Sequence, residues 1–228
     1  MMSPQPYMIE RTPQPPDLTA DFASPAWSAA NVLQVDQFHP RSSEHRPVTR
    51  ARLLYDASHL YVAFHVADRY VRAVNTLYQS MVCRDSCVEF FVQPRPQKGY
   101  FNFELNCGGT LLVYYVEDPT RVGASLRKFI ELPAEFGDAI RIHATLPRRV
   151  EPEITEAVAW QVTLAIPIAA MEPYVGALGD LARQTWRANF YKCGDKTSHP
   201  HWASWSPIGE NLNFHQPEFF GPILFRSA

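Results

Sequence analysis

No apolar run in the 228-residue chain approaches the roughly 18 residues that span a bilayer. The opening MMSPQPYMIERTPQPPDL holds neither the apolar stretch nor the small-residue cleavage site of a secretory leader. As written, the protein is expected in the cytoplasm, or outside the cell if a leader has been trimmed. The four cysteines (Cys83, Cys87, Cys107 and Cys193) are too few for a disulfide framework in a chain of this length, and no two form a CxxC pair. They read as reduced, small, buried residues. An excess of one charge is missing too, since 21 Lys and Arg stand against 23 Asp and Glu, and Arg148-Arg149 is the dense basic spot. Phosphate recognition needs a clustered basic face, so neither nucleic acid nor a membrane is expected as a partner.

Sustained helical periodicity is scarce, and so are linkers. Residues 1–17 carry Pro4, Pro6, Pro13, Pro15 and Pro16, and read as an extended arm without helix or strand, because proline removes a donor and fixes φ. From Leu18 to the end no break or internal repeat interrupts the pattern, so 18–228 is read as one domain, expected to be monomeric.

Period-two alternation is abundant. Leu60, Val62, Phe64 and Val66 share one face; Val88, Phe90 and Val92 another; then Phe101, Phe103 and Leu105, Ile140 and Ile142, Val158 to Ile166 at every second position, and Trp186, Ala188 and Phe190. Successive side chains of a strand point to opposite faces, so these runs predict half-buried antiparallel strands. Further strands are predicted at 31–38, 49–56, 110–117 and 221–226, with short helices after Ser24 (25–30) and within 167–183. The fold class is all-β: a single two-sheet antiparallel β-sandwich of jelly-roll-like type with a few short helices. Phe64, Phe90, Phe103, Trp160 and Phe190 should form its core.

The same alternation sorts the polar residues. Asn102, Glu104 and Asn106 fall at i, i+2 and i+4 of one strand and project opposite Phe101, Phe103 and Leu105; Glu89 and the set Arg187, Asn189 and Tyr191 do the same on two others. Asn, Glu and Arg are poor strand formers, so three such strands suggest a functional polar face. Planar amides and carboxylates in a row suit paired hydrogen bonds to vicinal hydroxyls. His201-Trp202-Ala203-Ser204-Trp205, beside the aromatic stretch Asn213 to Gly221, adds indole faces on which the C–H side of a sugar ring can stack.

Six ordered stretches resemble the family 9 carbohydrate-binding modules: VTRARLLYDASHLYVAFHVAD (48–68), CRDSCVEFFVQP (83–94), GYFNFELNCGGTLL (99–112), AWQVTLAIP (159–167), WRANFYKCGDKTSHPHWASWSPI (186–208) and NFHQPEFFGPILF (213–225). The resemblance implies a β-sandwich that binds a mono- or oligosaccharide without hydrolysing it, in the company of enzymes of polysaccharide catabolism. It implies a sugar held between two tryptophans with Glu, Asn and Arg side chains on its hydroxyls. Matched residue by residue, Glu89, Asn106, Asn189 and Trp205, with Trp202 as its alternate, take those places. The candidate site is therefore Glu89, Asn102, Glu104, Asn106, Arg187, Asn189, Trp202 and Trp205. The sequence departs from the pattern where Cys83 and its surroundings replace the first tryptophan and Glu104 replaces an arginine. The family also implies structural calcium, although no Asp-rich loop names its ligands.

Other readings stay open. Glu89 and Glu104 on adjacent strands could serve a glycoside hydrolase, which needs two carboxyl groups about a glycosidic bond. Cys193, His199, His201 and His215 could bind a metal, although their spacing matches no zinc pattern. Haem is disfavoured, with Met8 and Met171 poorly placed as axial ligands, and no organic cofactor is expected. An interaction sandwich without sugar affinity is the remaining alternative.

Overall fold

The computed structural model describes residues 5–227. In chain order the strands are β1 (Tyr7–Arg11), β2 (Leu33–Val35), β3 (Gln37–Phe38), β4 (Val48–Tyr55), β5 (His59–Asp68), β6 (Val71–Ala73), β7 (Cys87–Gln93) and β8 (Tyr100–Asn106). Then come β9 (Leu111–Val122), β10 (Ser125–Glu131), helix α1 (Ala134–Ala139), β11 (Arg141–Ala144), β12 (Val150–Ile154) and β13 (Val158–Pro167). Helix α2 (Ile168–Val175), β14 (Thr185–Cys193), β15 (Trp202–Ser204) and β16 (Gly221–Phe225) complete the chain.

Two sheets face each other. The first runs β10-β9-β8-β7-β14, with β16 on the first half of β14's free edge and β15 on the second half. The second runs β4-β5-β13-β11, with β2 and β1 sharing the outer edge of β4. Alternation predicts the sandwich interior correctly. Phe90, Phe103 and Phe190 from the first sheet meet Val62, Phe64 and Trp160 from the second in one continuous cluster, each no more than 1% exposed. Phe190 lies 4.9 Å from Phe90 and 6.1 Å from Phe64, ring centre to ring centre, so it bridges the two sheets.

The proline-rich start departs from its reading as an arm without strand. Tyr7-Met8-Ile9-Glu10-Arg11 contains no proline and places Tyr7 and Ile9 on a buried face. It pairs in parallel with β16 through residues 7–9 and with β4 through residues 10 and 11, so β1 passes from one sheet to the other and closes a corner of the sandwich. Those are parallel ladders in an otherwise antiparallel fold. After Ser24 the predicted helix is a single 3₁₀ turn, Pro25–Trp27, without a side-chain cap.

The strands of the first sheet are not half-buried. Every residue of β8 is buried, and every residue of β7 except Gln93. Loops and the β9–β10 hairpin cover the outer face, so the polar residues that alternation aims outward lie under a roof. In the turn after β8, Gly108 approaches the backbone of Arg148 so closely that a Cβ would stand 2.6 Å from its carbonyl oxygen.

Candidate functional site: a roofed cleft on the first sheet

Cross-strand pairing places the candidate residues together on the outer face of the first sheet. Glu89 stands directly opposite Glu104 on one side and Tyr191 on the other, Phe91 opposite Asn102 and Asn189, and Cys87 opposite Asn106 and Cys193. Above Glu89 and Glu104 lies a cleft of about 660 Å³. Phe91, Leu112 and Cys193 share its floor; Trp202 and Asp195 form one wall, Phe214 and His215 another, and Tyr114, Phe129 and Arg121 of the β9–β10 hairpin a third.

The amides and the arginine build this cleft rather than line it. Asn189 donates to the Ser206 carbonyl (3.0 Å) and accepts from the Ser206 N–H (2.9 Å), imitating a strand partner where β15 has ended. Asn106 donates to Asn75 O (2.8 Å) and Asp85 (2.9 Å) and accepts from the Thr110 N–H (3.0 Å), fixing the β8–β9 turn. Arg187 donates to the carbonyls of Glu218 and Phe220 and anchors the segment ahead of β16. Asn102 accepts from the Tyr114 N–H (2.7 Å) and donates to the Glu104 carboxylate (2.8 Å), which orients it. Their hydrogen-bonding capacity is spent on holding the roof to the floor.

The two carboxyl groups are different. Glu89 is 2% exposed and its hydrogen-bond partner is the Cys193 thiol at 3.2 Å; Glu104 has the Asn102 amide. Burial, then the charge of Glu104, raises Glu89 well above the usual carboxyl range. Burial, aided by the charge of Asp195 and opposed by the Asn102 hydrogen bond, pushes Glu104 up to about 7. Burial raises Asp195 as well, although the Trp202 indole N–H donates to it at 2.7 Å. The floor therefore holds protons near neutrality, and its carboxyl groups can donate as well as accept.

The two tryptophans part company. Trp202 follows the outward parity of Ser204 into the cleft, whereas Trp205, three residues on, turns to the sandwich interior and meets Phe190 edge-on at 5.8 Å. Trp205 is placed outside the cleft. Cys83 does line it, and the aromatic surface facing Trp202's wall comes from Phe214, in the aromatic stretch 213–221, and from Tyr114 and Phe129, which the sequence reading did not single out. Tyr114 was within reach of strand parity, as the outward neighbour of Val113 and Tyr115. Asp195 and Phe129 carried no such signal, because only the folded loops bring them in.

The four-residue metal reading is corrected. Cys193 is at the floor beside Glu89; His215 Nδ1 pairs with the Tyr100 hydroxyl (2.8 Å); His199 stacks on Tyr70; His201 lies inside the sandwich against Lys192. Among the described residues the His, Cys, Asp and Glu donors that gather are Cys87, Glu89 and Cys193, two soft sulfurs and one carboxylate, a set that does not suit calcium, which takes six or more oxygens. Asp68, a buried carboxylate, already has a cation: the Lys192 ammonium, 3.5 Å away.

An all-β sandwich with an aromatic-walled, carboxyl-floored cleft on one sheet is the architecture of a carbohydrate-binding module. The sequence signature of carbohydrate-binding family 9 matches residues 26–225, and the chain belongs to that family. It is similar to the structure of a candidate carbohydrate-binding protein of Bacteroides uniformis, with 28% identity and a TM-score of 0.84 over 97% of this chain and 99% of that one. It shares its fold with a family 9 module of Caldicellulosiruptor kristjanssonii solved with cellotriose, at 12% identity and a TM-score of 0.65 over 98% of this chain and 95% of that one. The same organism's module solved with glucose gives 12% identity and 0.64 over 98% and 97%. No curated protein matches the sequence. Non-catalytic carbohydrate binding is the function this membership carries.

Proposed function

We propose that the sugar sits in the cleft over Glu89 and Glu104, with one ring against Trp202 and the facing aromatics. The observation that carries this reading is a pair of buried carboxyl groups with spare hydrogen-bonding capacity at the floor of an aromatic-walled cleft. Neighbouring carboxyls reach adjacent hydroxyls of one ring, and the apolar ring face covers indole or phenyl surface at about 25 cal/mol per Å². The ligand is a neutral mono- or oligosaccharide, whose hydroxyls can pair with carboxyls that both donate and accept.

Each hydroxyl hydrogen bond largely replaces one to water, netting about 0.5–1.5 kcal/mol. After the entropic cost of association the dissociation constant should fall between about 1 mM and 1 μM. Calorimetry with glucose and cellotriose, the sugars carried by the C. kristjanssonii structures, tests the reading. Trp202→Ala should weaken binding at least about tenfold, whereas Trp205→Ala should lower the unfolding midpoint and leave the affinity of the folded protein nearly unchanged. Equal loss in both variants, or no heat at millimolar sugar, would overturn the cleft assignment.

A further inference from the structure

Three of the four cysteines come from separate segments and meet in one place. Cys83 lies in the 3₁₀ turn Val82–Arg84, Cys87 opens β7 and Cys193 closes β14; with Val82, Leu112, Trp202 and Phe214 they form a single cluster at one end of the cleft. Cys87 and Cys193 are direct cross-strand partners, and Glu89, two residues after Cys87, projects from the same face. One donor atom from each of Cys87, Glu89 and Cys193 lies within 4.8 Å of the others.

Sugar recognition does not account for these thiols. Among the described residues Glu89, 2% exposed, receives only the Cys193 S–H. That leaves a buried carboxyl nearly unsatisfied, a costly arrangement that a ligand would relieve. Glu89 and Cys193 also line the cleft, which supplies an entry path.

We propose that Cys87, Cys193 and Glu89 form a binding site for a soft or borderline divalent cation, Zn²⁺ or Cd²⁺. Two sulfurs and one oxygen suit such an ion and not calcium or magnesium. With metal–sulfur distances of about 2.3 Å and metal–oxygen distances of about 2.0–2.2 Å, tetrahedral ligands stand under 4 Å apart, and Cys193 Sγ and Glu89 Oε1 already stand 3.2 Å apart. The incoming cation displaces the thiol protons to solvent, and affinity therefore rises with pH. A fourth position is left toward the cleft. Because Glu89 also belongs to the proposed sugar floor, a loaded ion would change sugar affinity; this consequence alone rests on the reading of the previous subsection.

The test uses the full chain, reduced and stripped of metal, titrated with CdCl₂ in the absence of sugar. The expected result is a thiolate-to-cadmium charge-transfer band that saturates at one equivalent, with proton release. Cys87→Ser and Cys193→Ser should each weaken binding at least tenfold, while Cys107→Ala, whose thiol lies in the sandwich core, keeps the band. X-ray absorption of the zinc-loaded wild type should count two sulfurs, a readout that needs no variant to fold. Absence of the band at stoichiometric cadmium, or a zinc shell without sulfur, overturns the proposal. Neither result bears on whether glucose binds.

Discussion

At the scale of single residues, the cleft is built from groups held away from their solution behaviour. Glu104 binds its proton more tightly in the fold than in the unfolded chain, where its ordinary value is 4.5. Between that pH and about 7 the native state holds more protons, so the contribution of Glu104 to stability falls as pH rises through this window. Glu104→Gln should therefore stabilise the protein at pH ~8 by about 1–3 kcal/mol, with the gain gone below pH ~4.5; urea unfolding at the two pH values measures it. A gain that is the same at both would show that the fold leaves the proton affinity of Glu104 unchanged. The same substitution should weaken sugar binding if the carboxylate accepts from a hydroxyl, which separates its ligand role from its stability effect.

Lys192 shows the complementary case on the inner face. Alternation places it beside Phe190 and Ala188 in the core, fully buried. Its ammonium faces Asp68 at 3.5 Å, donates to His201 Nε2 (2.7 Å) and to the Cys193 carbonyl (3.0 Å), and lies over Trp160. His201 in turn donates from Nδ1 to the His199 carbonyl (2.9 Å), which fixes the tautomer that accepts from lysine. Lys192→Met would leave Asp68 buried without its cation, at a cost of about 3–5 kcal/mol. Adding Asp68→Asn should recover part of that, and a double-mutant cycle in urea reads the coupling.

Among the elements, β1 is the least expected and the most exposed to test. Its five residues lie ahead of the family match, which begins at residue 26, yet they join both sheets. Ile9 is fully buried, and the Tyr7 hydroxyl donates to the Asn31 carbonyl at 2.6 Å and accepts from the Leu53 N–H at 3.0 Å. Burial of the two side chains is worth about 1.5–3 kcal/mol each. Deleting residues 1–11 should cost at least about 3 kcal/mol and leave β16 and β4 with open edges, which invites association between copies. Thermal unfolding and light scattering of the truncated chain check both. An unchanged midpoint would return this segment to the status of an arm.

For the molecule as a whole, the perturbed groups oppose one another. Burial, then the Lys192 charge, pushes His201 down to about 3. Burial, then the Arg121 charge, pushes His215 down to about 3 as well. Burial alone would raise Asp68, but the Lys192 ammonium and the His45 hydrogen bond hold it well below the usual carboxylate range. Histidines kept neutral lose stability as pH falls from their ordinary 6.5 toward about 3, and Asp68 adds to this below its ordinary 3.8. Glu89 and Glu104 act in the other direction as pH rises above 4.5. Three raised carboxyls, Asp195 included, and three lowered histidines, His65 included, oppose one another between 4.5 and 6.5. The expected stability profile is a plateau there, falling on the acid side and on the alkaline side by up to about 1.4 kcal/mol per pH unit for each group. Urea midpoints across the range measure it, and a steady rise from pH ~5 to ~8 would contradict the assignment of the raised carboxyls.

The sequence by itself determined which face of each strand a side chain takes, because alternation is built into the covalent geometry of an extended chain. That was enough for the two-sheet core and for the outward direction of Glu89, Glu104, Asn102, Asn106, Arg187 and Asn189; the strand order that makes them neighbours on one face came from the fold. Parity also forbids Trp202 and Trp205 from sharing a face if the strand continues through both, a constraint legible in the spacing and decided by the structure in favour of Trp202. What lies over an outward face is not local information. The roof that turns three amides and an arginine into loop anchors is assembled from segments far apart in sequence, and so are Asp195, Phe129 and Phe214. The cysteine cluster has the same origin: Cys87 and Cys193 are 106 residues apart in the chain, and become neighbours only when β7 and β14 pair. Which polar residues remain free for a ligand depends on which ones that tertiary assembly has already used.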